Sequence, residues 1–292
     1  MVSREPIATS CICCASQDLG RSPAVLMPFV AYRVFGHQPV EITPEWGLRD
    51  LRQGMAYTLC NSLQCQECGV LFLDYRFTDL QMNALYQNYR DATYNAQRIG
   101  FEPGYAEVVA HYHQRADYIA EVEGWLAPHL PPDPKVLDWG GDSGINSPFL
   151  NRASLLHVYD ISGVEAVPGA SRISTDYLGQ QTYDLVVCSE VLEHVPSPFD
   201  LLQQLLPVLE PQTLLYIEVP HEALMRQNPG SRKLATLKRH WHEHVNFYTE
   251  EGLCRMLERS GLEVVNCLHL PVDIGWAQSE VLGVLAKRPT GT

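Results

Sequence analysis

Four cysteines fall in two pairs of identical spacing, Cys11-Ile12-Cys13-Cys14 and Cys65-Gln66-Glu67-Cys68. Two such C-x2-C knuckles can present four thiolates at about 2.3 Å to one tetrahedral zinc ion. A closed set of four leaves no position for water, so this metal would hold structure rather than do chemistry. The sequence splits the site by 50 intervening residues and leaves Cys13 and Cys60 as spare ligands. The competing explanation is that small buried thiols pack a core. A second cluster, His240-Trp241-His242-Glu243-His244, holds three of the eleven histidines. Alternation along an extended segment would put the three rings on one side, where they could bind a metal. One near-neutral imidazole could instead take a substrate proton, and loop histidines also simply bond backbone. His244, oriented by the neighbouring Glu243, is the leading candidate base. His194, in Glu190-Val191-Leu192-Glu193-His194, is the second.

The third group is Val136-Leu137-Asp138-Trp139-Gly140-Gly141-Asp142-Ser143-Gly144, with glycines where a strand turns toward a helix. Backbone N–H groups approach a ligand closely at such a turn. A dinucleotide fingerprint G-x-G-x-x-G fails, because Asp142 and Ile145 occupy its second and third glycine positions. Asp142 would repel a pyrophosphate but tolerates a cofactor carrying ammonium and sulfonium charges. Asp160 follows Asp138 by 22 residues and ends the next apolar run, the place from which a carboxylate reaches ribose hydroxyls. Together the two acids favour an adenosyl ligand over a bare turn and a helix cap.

These residues need elements to hold them. Apolar runs at Val136-Leu137, Leu155 to Tyr159, Leu185 to Cys188 and Leu214 to Val219 alternate with helical stretches, the rhythm of a parallel sheet with crossover helices. Continuous apolar runs fit strands covered on both faces. Strands are also predicted at Glu263 to Leu268 and Glu280 to Ala286, with a helix opening at Glu250 and stopping at Gly261. Residues 79 to 129 read as helical, and Tyr105, Val108, Val109, Tyr112, Ala116, Ile119, Val122 and Leu126 mark one amphipathic face. Tyr86, Tyr89, Tyr94 and Arg98 could form a lid or pack a core. Residues 1 to about 75, with six of the nine cysteines, should be loops and short strands.

At 292 residues, 46% hydrophobic and 19% charged, the chain suits one medium domain plus a small accessory module, and disorder is excluded. A net charge of −13 opposes broad nucleic-acid binding. No apolar run approaches a membrane span, and a start without a secretory pattern leads us to expect a cytoplasmic protein with thiols rather than disulfides. One local excess of positive charge, Arg226, Arg232, Lys233, Lys238 and Arg239, is equally a solvated face or a clamp for a substrate phosphate.

Val136 to Gly144 resembles the glycine loop of class I S-adenosylmethionine-dependent methyltransferases, with Asp142 in place of its middle glycine. Tyr183 to Val195 (YDLVVCSEVLEHV) resembles the family's fourth-strand motif. The resemblance covers about residues 80 to 290. It implies an α/β, Rossmann-like seven-stranded core with Asp138, Gly140 and Gly144 around the methionine end of the cofactor. It implies further that Asp160 meets the ribose, Asp176 and Tyr177 the adenine, and that Glu190 lies near the reactive end. The cysteine pairs are similar to the N-terminal zinc-binding domain of sugar C-methyltransferases and related small-molecule enzymes, so Cys11, Cys14, Cys65 and Cys68 are the implied ligands. His242 to Tyr248 resembles their post-fifth-strand motif, placing His244 and Glu243 in the active site, with Trp241 where a tyrosine is often found. The expected organisation is a zinc module over residues 1–78 and a methyltransferase domain over 79–292, acting on a small sugar or nucleotide-linked sugar. The rivals are an S-adenosylmethionine-binding regulatory protein without turnover and an RNA methyltransferase.

Overall fold

The computed structural model describes residues 6–47, 51–109, 114–273 and 278–289. The N-terminal part contains β1 (Leu19–Leu26), α1 (Pro28–Phe35), the small hairpin β2 (Val40–Ile42) and β3 (Gly54–Ala56), then β4 (Leu59–Cys65) and β5 (Leu71–Leu73). Four helices follow: α2 (Asp79–Tyr86), α3 (Ala92–Phe101), α4 (Tyr105–Val109) and α5 (Ile119–Leu126). Next come β6 (Lys135–Trp139), β7 (Leu155–Tyr159), β8 (Ser171–Arg172), β9 (Leu185–Ser189), α6 (Pro198–Leu205), β10 (Leu214–Pro220), α7 (Ala223–Gln227) and α8 (Leu234–Leu237). The chain ends with β11 (His240–Trp241), β12 (Asn246–Phe247), α9 (Glu250–Arg259), β13 (Glu263–Asp273) and β14 (Gln278–Lys287).

A seven-stranded sheet runs in the order β13-β14-β10-β9-β6-β7-β8. The five strands from β10 to β8 are parallel, and β14 is antiparallel to both β10 and β13. This is the expected Rossmann-like core. Leu185 to Cys188 are fully buried, as a strand covered on both faces requires. The chain leaves β6 for β7 on one side and returns to β9 on the other. The crevice between the carboxyl ends of β6 and β9 is therefore the topological switch point, where open α/β sheets take their ligands.

The predicted amphipathic helix from Tyr105 to Leu126 is interrupted. Residues 114–118 are non-helical between α4 and α5, and Tyr112 lies outside the described residues. The cause is tertiary: the Arg115 guanidinium donates to the carbonyls of Ile145 at 2.6 Å and Ser147 at 3.0 Å, and the Ala116 N–H donates to Asn146 Oδ1 at 2.9 Å. These bonds pull the segment onto the loop after β6.

The N-terminal region is more regular than expected, with strands of eight and seven residues in β1 and β4. Its sheet runs β11-β1-β4-β5-β12, so the two edge strands come from residue 240 onward. Trp241 is fully buried there, and its indole N–H donates to Ser62 Oγ at 2.8 Å. Helix α9 approaches the same region closely. A side chain at Gly252 would stand 2.1 Å from Val70 Cγ2, and the Thr249 hydroxyl donates to the Cys68 carbonyl at 2.6 Å.

Candidate functional site

The four predicted cysteines converge. Cys11 Sγ lies 3.5 Å from Cys68 Sγ, Cys14 Sγ lies 3.5 Å from Cys65 Sγ, and all four sulfurs fall within 4.8 Å of one another. Thiolates bound at about 2.3 Å to a tetrahedral zinc stand about 3.8 Å apart, so the set fits one ion with little movement. The spare cysteines point elsewhere. Cys13 Sγ faces Met256 Sδ at 4.0 Å, and Cys60 belongs to a different hydrophobic cluster, with Leu71 and Leu73.

At the switch point a cleft of about 1500 Å³ opens over the ends of β6, β7 and β9. Asp138, Gly140, Asp160 and Glu190 line it at one end. Gly140 has φ +84°, and a Cβ there would meet Val191 Cγ2 at 2.4 Å, so only glycine lets this turn close against the fourth-strand motif. A Cβ on Gly141 would fall 2.3 Å from Asp138 Oδ2. Asp142 takes the left-handed φ of +53°, a conformation that aspartate tolerates better than most residues. Its N–H donates to Asp160 Oδ2 at 3.0 Å, and its carboxylate meets Arg90 at 3.5 Å. Asp142 thus ties the loop to the second strand and to the α2–α3 connection.

Asp138 is buried and accepts from the Ser147 hydroxyl at 2.5 Å. Burial raises its carboxyl to about 7, with Asp160 and Glu218 adding to the rise and Ser147 opposing it. Glu190 is open to the cleft yet deep enough for desolvation, and then Glu193, Glu218 and Glu222, to raise it well above the carboxylate range. It too adopts a left-handed φ, +55°.

The other end of the cleft is a histidine corner. His194 and His244 stand edge to face with ring centroids 4.7 Å apart. His194 Nδ1 faces the Tyr86 hydroxyl at 2.8 Å and the Glu243 carbonyl at 3.3 Å. Burial, reinforced by charged His244, lowers His194 to about 3. Burial also works against the charge on His244, but the Glu222 hydrogen bond and the fields of Glu193, Glu222 and Glu243 outweigh it and raise the ring to about 9.

The expected pairing of Glu243 with His244 is corrected. His244 Nδ1 meets Glu222 Oε1 at 2.7 Å, while Glu243 Oε2 accepts from Arg98 Nη1 at 2.9 Å. Burial would raise Glu243, but Arg98 first and then the surrounding histidines hold it at about 2. The carboxylate that orients His244 is therefore Glu222 and not Glu243. The three histidines do not share one side either. The segment bends at Glu243, His240 is exposed, and His242 Nε2 pairs with Glu102 at 2.8 Å.

Other predicted residues divide. Tyr86 and Tyr89 line the cleft as a lid would, while Tyr94 is buried in core and Arg98 is 5% exposed, holding the Glu243 carboxylate. Gly144, φ +80°, is packed behind the loop against Val158 and Ala170. Asp176 and Tyr177 lie in a short 3₁₀ helix, Thr175–Tyr177, and neither is on the cleft wall. None of Arg226, Arg232, Lys233, Lys238 or Arg239 lines the cleft; Lys238 lies over the Trp241 and Phe247 rings. Glu222 and Arg90 carried no motif signal, because each is a lone charged residue in a loop or at a helix boundary.

The family model described as a methyltransferase domain matches residues 110–266, more than half of the chain. The ubiquinone biosynthesis O-methyltransferase of Aeromonas salmonicida (strain A449) is 28% identical over 171 residues, covering 51% of this chain and 69% of that protein. Among solved structures, the 1,6-didemethyltoxoflavin N1-methyltransferase of Burkholderia thailandensis is 14% identical with a TM-score of 0.49, covering 77% of this chain and 96% of that one. The glycopeptide N-methyltransferase MtfA is 17% identical with a TM-score of 0.44, covering 60% and 91%. Among the described residues no helix is long and apolar enough to cross a membrane. With its sheet order, its glycine loop at the switch point and this family match, the chain belongs to the methyltransferase-domain family and is an S-adenosylmethionine-dependent methyltransferase.

Proposed function

We propose that the chain methylates a hydroxyl or an acidic carbon of a small sugar-derived acceptor without a phosphate group. The observation that carries this is the single cleft, which joins the Gly140 loop to the histidine corner and whose charge is one-sided. Among the described residues nine carboxylates and three guanidinium groups line it. Such a wall suits a cationic cofactor and a neutral polyol, and repels phosphate and RNA. The basic run from Arg226 to Arg239 lies outside the cleft, so a nucleotide-linked sugar loses its expected clamp.

In this reading Asp138, Gly140 and Asp160 hold the cofactor, whose positive groups favour the ionised forms of Asp138 and Glu190. When bound, S-adenosylmethionine supplies an electrophilic methyl group on a sulfonium whose leaving group is a neutral thioether. The chain's own task is then mainly alignment and proton handling. His194, His244 and Glu222 hold the acceptor and take up its proton, while Glu243, through Arg98, fixes α3 over the site. The four-cysteine centre holds one structural zinc that stiffens the sheet carrying the histidine segment.

Calorimetry with S-adenosylhomocysteine, followed by incubation of candidate sugars, nucleotide sugars and small phenols with S-adenosylmethionine, tests the proposal. A mass gain of one methyl on a phosphate-free sugar is expected. Gain confined to phosphate-bearing acceptors or to RNA would overturn the acceptor class.

A further inference from the structure

Glu193 has a side chain 1% exposed, and neither carboxylate oxygen has a hydrogen-bond partner among the described residues. A carboxylate buried without a hydrogen bond is costly to ionise unless a positive charge lies close to it. It stands directly behind the two imidazoles of the cleft. His194 Nε2 is 3.4 Å from Glu193 Oε1, and the Glu193 carbonyl accepts from the N–H groups of Val245 at 2.8 Å and Asn246 at 3.1 Å. Those backbone bonds seat the segment that carries His244. One ligand atom from each of Glu193, His194 and His244 lies within 4.8 Å of the other two.

We propose that Glu193, His194 and His244 bind one divalent transition-metal cation at the acceptor end of the cleft. Two imidazoles and one carboxylate suit zinc, manganese, iron(II) or cobalt(II), and three protein ligands leave positions open to the cleft. The outer contacts fit as well. A metal-bound histidine characteristically gives its second N–H to a carbonyl or carboxylate, and here His194 Nδ1 faces the Glu243 carbonyl while His244 Nδ1 faces the Glu222 carboxylate. The site differs from the other histidine and carboxylate cluster, His221, His269 and Glu280. There Glu280 already engages both rings, at 2.5 and 3.2 Å, and His269 is exposed. The proposal rests on the methyltransferase reading for its consequence: the open positions select an acceptor with two adjacent oxygens, such as a vicinal diol, and favour ionisation of the bound hydroxyl.

Cobalt(II) titration of metal-free full-length protein separates this site from the cysteine centre, because thiolate-bound cobalt gives intense near-ultraviolet charge-transfer bands and a nitrogen and oxygen site does not. A second equivalent that adds weak visible bands alone is expected. Glu193→Gln and His194→Ala should each lose that equivalent and keep the thiolate bands, and Glu222→Gln should weaken it about 10- to 100-fold. Circular dichroism checks folding, with His244→Gln as a further ligand variant. A wild-type chain that takes up cobalt only with thiolate bands, or variants that keep the second equivalent, overturns the site. Calorimetry with S-adenosylhomocysteine in the same samples keeps the two ideas apart: cofactor binding without a second metal defeats this proposal alone, and a second metal without cofactor binding defeats the methyltransferase reading alone.

Discussion

Replacing Asp138 by asparagine removes a charge that the fold keeps from water while preserving the shape and the Ser147 contact. Burial lifts the carboxyl from 3.8 to about 7. Because the folded chain holds this proton more tightly than the unfolded one, stability is fully present at low pH and is lost as pH rises from about 4 to about 7. Three pH units correspond to about 4 kcal/mol, an upper bound because asparagine makes a weaker bond to Ser147. Wild type and Asp138→Asn should therefore unfold alike near pH 4 and diverge steadily above it. At pH 8 the variant should be the more stable, by several degrees in Tm. Thermal melts of both proteins between pH 4 and pH 8 measure this, and taking the difference cancels Glu190 and Glu193, the raised carboxyls that do not act on Asp138. The same variant should bind S-adenosylhomocysteine more weakly, a loss of function alongside a gain of stability. A difference in Tm that does not change across the range would refute the buried, proton-holding Asp138.

Three further outcomes are expected. Cys65→Ser should lose about one equivalent of zinc per chain and lower the melting temperature; unchanged zinc content with an unchanged melt would remove Cys65 from the ligand set. Gly140→Ala forces a Cβ into Val191 at a positive φ and should cost about 1–3 kcal/mol in urea denaturation, with Val191→Ala recovering part of it. Arg98→Met leaves Glu243 buried without its cation and should cost about 3–5 kcal/mol, and adding Glu243→Gln should restore much of that; a double variant as unstable as the single one would show that the pair is not what matters.

The seven-stranded sheet was readable because its central strands are continuous apolar runs, a signal that needs no knowledge of partners. Strand β8, two residues long, and the pairing of β11 with β1 were not, since short edge strands are defined by what lies across from them. The helix predicted through Ala116 failed for a related reason: apolar spacing does not register that Arg115 bonds the loop after β6. In the site, the glycine loop and the Glu190 to His194 motif could be found from spacing because each is contiguous. The partner of His244 could not. Adjacent residues at a bend point apart, so Glu243 turns to Arg98, and the carboxylate that reaches the ring comes from Glu222 on another segment.

The sheet built from residues 19–73 closes with strands on either side of the histidine segment, and this sets a limit on how the gene can be recombined. A cut near residue 78 would strip β1 and β5 of their outer neighbours and expose Trp241 and Phe247, leaving two halves with raw edges instead of two working parts. The cysteine region cannot be traded between enzymes as a cassette. Any exchange that alters its strands also moves the segment that carries His244, because that segment is strung between β11 and β12.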